Sequence, residues 1–328
     1  MLVTGPNGVG KTNLLEALHV GTQGFSPRTR TDAQLLRFGS DTGRVALEGR
    51  RGEAPLSIAI GLSSQDAKRA TLNGAQLRAA EQLRSEVSTL VFTPDRLSIV
   101  KSGPAVRRAY FDRVAGRLAP ARATLPAEYA ATVAQRNAAL RRIARGYSSR
   151  DALTPWTERA AELGAALVEL RVETLGALAP GFAERAEELG LPSARLVYEG
   201  DVLTRDELEA RVDRDLERGT TGAGPHLHDV QLVSAERDLR SFGSQGEQRL
   251  TVLALLLAEA ELIAERRGFP PLLLLDDVLS ELDPDRRRLL ATRVAASGQT
   301  LVTSTTAAAL PVEPAQLLEV TPGKVRAA

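Results

Sequence analysis

Cysteine is absent from the 328 residues of the chain. That excludes disulfides and thiolate metal sites, and it fits a reducing cytosol. Aromatic residues make up only 4% of the sequence, so its core must be built mainly from aliphatic side chains. No apolar run is long enough to span a membrane, and a glycine-rich motif stands where a signal peptide would. Charge of one sign is not in excess. The net charge is +1, so no global field draws the chain to nucleic acid or membrane, and such binding would have to rest on local patches. Lysine occurs four times among 42 Lys and Arg residues, which makes Lys11 conspicuous. The rest, 43% hydrophobic and 25% charged, is the composition of a soluble globular protein. The length allows two domains, or one large domain carrying an insertion.

The strongest signal is Gly5-Pro6-Asn7-Gly8-Val9-Gly10-Lys11-Thr12, a Gly-x-x-x-x-Gly-Lys-Thr phosphate-binding loop. Its glycines let backbone N–H groups turn toward the α- and β-phosphates of a nucleoside triphosphate. Lys11 reaches the β- and γ-phosphates, and the Thr12 hydroxyl ligates Mg²⁺. The following stretch from Asn13 reads as a helix whose N-terminal dipole faces the anion. The plain alternative is a glycine-rich turn before a helix. Only Met1–Thr4 precedes Gly5, and a central strand usually has about five or six residues. We therefore expect a chain that starts late, without the strands that usually precede such a loop.

Residues 45–48, 56–62 and 69–72, followed by Asn73-Gly74, read as an antiparallel meander, and 87–92 as a further strand. From about Ala105 the composition shifts to Ala, Leu, Arg and Glu at helical spacing. Amphipathic helices are expected over 128–145 and 156–178, punctuated by Pro120, Pro126, Pro155 and Pro180. After Thr221 strand and loop return, with an apolar helix over 250–263 and buried strands at 272–275 and 300–304. The fold class this predicts is α/β, with a P-loop mixed sheet and antiparallel meander plus an inserted helical lobe. The division expected is 1–104, 105–223 and 224–328, the outer two forming one ATPase lobe.

Leu272–Leu275 followed by Asp276-Asp277 has the Walker B form, a hydrophobic strand delivering a carboxylate. Asp276 is placed to hold Mg²⁺, and Asp277 to polarise the attacking water as general base. Two carboxylates ending an all-leucine strand are costly to bury without a cation or strong donors. Ser280-Glu281-Leu282-Asp283 follows; Asp283 is either a helix cap or part of a nucleotide-binding D-loop. Upstream, Ser244-Gln245-Gly246-Glu247-Gln248 reads as an N-cap box or as a signature loop offering a hydroxyl and amides to a γ-phosphate. The order P-loop, signature, Walker B, D-loop resembles that of ATP-binding-cassette proteins, whose γ-phosphate switch falls here at Ser304 and Thr305.

Over nearly its whole length the chain resembles the RecF family of bacterial recombination-repair ATPases. The residues carrying this are Gly5–Glu16, Phe92–Leu97, Gly103-Pro with Arg107, Arg108 and Asp112, Gln135-Arg136-Asn137, Gly224-Pro-His226, Ser244–Arg249 and Asp276–Asp283. It departs from the family at Gly224-Pro-His-Leu-His228-Asp229-Val, where Gly-Pro-His-Arg-Asp-Asp is usual, and in lacking a strand-rich leader. The resemblance implies an ABC-type head that binds ATP and Mg²⁺ and dimerises on ATP around two nucleotides. Gly5, Pro6, Asn7, Gly8, Val9, Gly10, Lys11, Thr12 and Asn13 of one subunit would face Ser244, Gly246, Glu247, Gln248 and Asp283 of the other. Lys11, Asp277 and Ser304 would carry the catalysis, and Thr12 and Asp276 the metal. It further implies a cytoplasmic protein that binds DNA at gaps and junctions and works with RecO and RecR to load RecA, supporting replication restart and the SOS response. The rival readings are a transporter's nucleotide-binding subunit and a clamp that binds ATP without hydrolysing it. His226, His228 and Asp229 suggest a metal site only weakly. The arginines at 107, 108, 113, 136, 141, 142 and 145 suit phosphate contacts and surface ion pairs equally.

Overall fold

The computed structural model describes residues 1–29, 31–280, 282–296 and 298–327. The chain forms two compact units, Met1–Arg96 with Ile263–Ala328, and Leu97–Leu262. In chain order the strands are β1 (Leu2–Thr4), β2 (Thr42–Arg51), β3 (Ala54–Ser63), β4 (Arg69–Leu72), β5 (Ala75–Gln76), β6 (Thr89–Phe92), β7 (Arg195–Glu199), β8 (Asp229–Ser234), β9 (Arg237–Asp238), β10 (Leu272–Leu275), β11 (Thr300–Ser304), β12 (Leu317–Thr321) and β13 (Lys324–Ala327). The helices that matter below are α1 (Lys11–Gln23), α2 (Pro104–Leu118), α3 (Leu125–Ala144), α4 (Thr154–Glu188), α5 (Gln245–Arg267) and α6 (Pro284–Ala296).

The first unit is built on a six-stranded sheet of order β13-β12-β1-β11-β10-β6. All neighbours pair in parallel except β12 and β13. Parallel strands buried on both faces read as unbroken apolar runs, which is why Leu273, Leu274 and Leu275 are all 0% exposed. Each buried leucine contributes about 1.5–3 kcal/mol relative to exposure. The register sets Thr4 opposite Ser304, and Leu275 opposite both Val302 and Phe92. The C-terminal ends of β1, β10 and β11 therefore lie side by side, the edge where open α/β sheets present their ligand sites. The expected meander is present as β2-β3-β4-β5, paired antiparallel. Gly21 of α1 marks a close approach to it, since a Cβ there would come within 2.3 Å of Leu47 Cδ1.

The second unit packs α3 against α4 around Tyr129, Val133, Leu163, Leu167 and Leu170. An antiparallel sheet β7-β8-β9 accompanies them. Pro180 does not end α4 as its sequence suggests; the helix continues through it to Glu188. A proline inside a helix costs about 3 kcal/mol or more. Leu178, Phe182 and Ala186, each 1% exposed or less, straddle it and hold the helix in the core. Helix α5 begins five residues before the expected Leu250, for a reason that lies in its cap. Among the described residues, no helix is long and apolar enough to cross a membrane.

Candidate functional site

Strand β1 delivers the glycine loop at the sheet edge. Gly5 has φ +148°, and a Cβ there would lie 2.5 Å from the Val320 carbonyl oxygen, so only glycine fits. Gly8 and Gly10, at φ +81° and +108°, border open space on the side where a Cβ would project. Pro6, Asn7, Gly8 and Asn13 are exposed, and Val9 packs inward against the sheet core. Helix α1 starts at Lys11 behind Gly10, with no side-chain cap and no acidic residue in its first turn. Its leading N–H groups and positive dipole end thus meet no carboxylate from the helix's own first turn, which suits a polyphosphate. Lys11 Nζ lies over the loop, donating to the carbonyls of Gly5 at 2.6 Å and Pro6 at 2.9 Å.

Asp276 follows β10 and is 7% exposed. Its backbone N–H donates to Phe92 at 2.9 Å, which fixes it to the end of the neighbouring strand. The Thr12 hydroxyl donates to its carboxylate, 2.9 Å from Oδ2 and 3.2 Å from Oδ1. Phosphate loop and Walker B carboxylate, 264 residues apart in sequence, are thereby in direct contact. A hydroxyl and a carboxylate side by side are the hard oxygen donors Mg²⁺ prefers. Among the described residues no cluster of three His, Cys, Asp or Glu exists to cage a cation, so phosphate and water oxygens would complete its shell. Asp277 is exposed and takes a left-handed backbone, φ +50°.

The switch position is less direct than the sequence suggests. Ser304 is 5% exposed and its Oγ accepts the Thr306 N–H at 3.4 Å. The hydroxyl that reaches the carboxylate pair is that of Thr303, one residue earlier. It donates to Asp276 Oδ1 at 2.7 Å and accepts from the Asp277 N–H at 2.9 Å. Sequence reasoning passed over Thr303 because its role depends on the β10–β11 register, which no local pattern encodes. Of the D-loop residues, Glu281 lies outside the described set. Asp283 caps α6, accepting the Arg286 N–H at 2.9 Å.

In the second unit, Ser244 and Glu247 form a reciprocal capping box at the start of α5. Ser244 Oγ accepts the Glu247 N–H at 3.2 Å, and Glu247 Oε2 accepts the Ser244 N–H at 2.7 Å. Hydrogen bonding from the Ser244 backbone N–H, and then from its hydroxyl, holds the Glu247 carboxyl below the usual carboxylate range. Ser244, Gln245 and Gly246 sit at or near the surface. Gln248 turns inward instead, 5% exposed, with Nε2 donating to the Leu239 carbonyl at 3.0 Å.

The histidine and arginine motifs separate by burial. His226 receives Tyr129 and reaches the Thr221 carbonyl, His228 meets Tyr198, and Asp229 binds Arg107. Burial lowers both histidine pKa values. Burial is the largest single influence on the Asp229 carboxyl and raises its pKa, but the bonds from Arg107 and the Val230 N–H and the charges of Arg107 and Arg108 together hold it below the usual range. Arg107 and Arg136 are 3% and 0% exposed, each bound to an internal aspartate, so neither reaches a phosphate outside. Arg141, Arg142 and Arg145 are exposed.

A mixed sheet that sets a phosphate loop against a Walker B aspartate, with a serine-glycine loop opening a helix upstream, is an ABC-type ATPase head. The RecF/RecN/SMC N terminal domain family matches residues 1–324. The chain is 34% identical over 332 residues to the DNA replication and repair protein RecF of Heliobacterium modesticaldum, covering 93% of this chain and 86% of that one. Identity is 38% over 326 residues to the RecF of Anaeromyxobacter sp. strain K, with the same coverage. A solved structure of the recombination mediator protein RecF with ATP, from the RecFOR pathway, superposes with a TM-score of 0.87 at 28% identity. It covers 100% of this chain and 91% of that one. An Smc head bound to the C-winged helix domain of ScpA shares the fold at a TM-score of 0.60 and 16% identity. The chain belongs to the RecF family.

Proposed function

We propose that this chain is an ATP-binding, slowly ATP-hydrolysing DNA-binding protein of recombinational repair. The observation that carries the reading is the contact of Thr12 with Asp276, which unites the phosphate loop and the metal-binding carboxylate. Residues 5–13 receive the triphosphate, with Lys11 leaving the loop carbonyls for the β- and γ-phosphates. Thr12 and Asp276 would hold Mg²⁺, which would supply neutralising charge beside the phosphates. Asp277, exposed beside them, accepts a proton from the attacking water as general base. An aspartate is one methylene shorter than the glutamate usual in cassette ATPases, so turnover is slow and suits a timer. Ser304 closes the switch side.

ATP favours a homodimer because it adds contacts only there. Ser244, Gly246, Glu247 and Asp283 of the partner complete each site, and Gln248 braces the start of α5, where the first three lie. The closed dimer holds DNA at gaps and junctions, with backbone contacts predominating. Together with RecO and RecR it promotes RecA loading, and through it replication restart and the SOS response. The relatives' names and the ATP-bound RecF structure support this over a transporter subunit. ATP turnover of the wild type is to be measured beside Lys11→Ala and Asp277→Asn. Both variants are expected to lose hydrolysis, and Asp277→Asn to keep ATP binding. Equal rates in all three would establish the non-hydrolysing clamp instead.

A further inference from the structure

The Thr303 side chain is 1% exposed, at the end of a strand whose other members are packed in the sheet. Its hydroxyl touches two consecutive residues of the Walker B segment. A hydroxyl has one proton and two lone pairs, a backbone N–H can only donate, and an ionised carboxylate can only accept. The direction of both bonds is therefore fixed: the Thr303 hydroxyl donates a hydrogen bond to the Asp276 carboxylate and accepts one from the Asp277 amide. The second of these bonds holds a residue whose backbone is left-handed, a conformation that a side-chain-bearing residue keeps only when its surroundings enforce it.

Thr12 and Thr303 both donate to the same carboxylate, but they differ in what nucleotide demands of them. Thr12 sits in the loop that receives phosphate and must turn its oxygen to the cation. Thr303 lies on β11, outside the loop. We propose that Thr303 is a positioning residue for ATP hydrolysis, the fixed anchor that aims Asp276 at the cation and turns the Asp277 side chain outward. The inference rests on the ATPase reading of this site.

The test compares Thr303→Val, which keeps the shape and removes the hydroxyl, with Thr303→Ser, which keeps the hydroxyl and loses a methyl. Three quantities are read: single-turnover hydrolysis, the Mg²⁺ concentration needed for binding a fluorescent ATP analogue, and hydrogen exchange at the Asp277 amide. Removing an outer partner of a metal-binding carboxylate typically costs about 10–100-fold in activity or metal affinity. The valine variant is expected to show that loss in hydrolysis and in Mg²⁺ requirement and to lose protection of the Asp277 amide. The serine variant should stay close to wild type in all three. Wild-type rates in the valine variant, or equal damage in both, would overturn the proposal. Should the valine variant fail to fold, the serine variant and the wild-type amide still decide it, since an Asp277 amide exchanging as freely as an unprotected one contradicts the anchor. Failure of the ATPase reading shows separately, as wild-type and Asp277→Asn proteins turning over alike. Amide exchange and Mg²⁺ requirement then still judge Thr303.

Discussion

Residues of one type do different work here according to burial. Arg136 and Asp215 pair at 2.7 Å with side-chain exposures of 0% and 3%, whereas Arg150 and Asp213 pair at 2.6 Å with 64% and 76%. Distance alone does not distinguish them. Truncating one partner of a buried pair leaves an uncompensated charge and costs about 3–5 kcal/mol. An exposed pair is worth about 0–1 kcal/mol. Urea unfolding of Arg136→Ala should therefore shift strongly, and that of Arg150→Ala hardly at all. His226 adds a pH dependence. The Thr221 carbonyl can only accept, so Nε2 carries the proton and Nδ1 receives the Tyr129 hydroxyl. Burial lowers its pKa from 6.5, so the unfolded chain takes a proton first as the pH falls. The stability this neutral ring contributes is present above pH 6.5 and is lost as pH falls below that value toward the folded pKa. Melting temperatures between pH 7.5 and 5 should fall in the wild type, and less steeply in His226→Gln.

At the level of elements, the start of α5 serves as a cap whatever it later does for nucleotide. An N-cap serine replaced by alanine costs about 0.5–2 kcal/mol. Ser244→Ala should lower stability by about 1 kcal/mol in denaturant melts, while Ser244→Arg tested for ATP-dependent DNA binding reads the proposed nucleotide role. The sequence announced this helix, the leucine strand β10 and the meander, because period and turn chemistry are local. It placed the start of α5 too late because the apolar pattern begins at Leu250, whereas the hydrogen-bonded turn begins at the cap. Pro180 misled for the converse reason: a local breaker lost to the burial of Phe182, which only tertiary packing determines. The site divides in the same way. Thr12 and Asp276 were legible as motif members, and their contact followed from the motif. Thr303 was not, because what it touches is fixed by the alignment of two strands separated by α6. Arg107 and Arg136 looked equally suited to phosphate and to ion pairs, and burial decided for ion pairs.

For the whole molecule, the proposal requires that a phosphate loop and a signature serine act across two copies. A dimer with twofold symmetry then has two sites, each using Lys11 of one subunit and Ser244 of the other. Lys11→Ala and Ser244→Arg should each abolish hydrolysis when alone, for every site in either homodimer is damaged. Mixing them changes the outcome. In a mixed dimer one site carries both lesions and the other carries neither. Equal amounts that reassort at random place half of all subunits in mixed dimers with one intact site of two, so about a quarter of wild-type turnover should return if the sites fire independently. Sedimentation with Mg·ATP and duplex DNA would verify that dimers form in the mixture. If dimers form and mixing restores nothing, Ser244 does not complete a site in trans. If Ser244→Arg alone retains full hydrolysis, each subunit works by itself and the ATP-gated grip on DNA needs another origin.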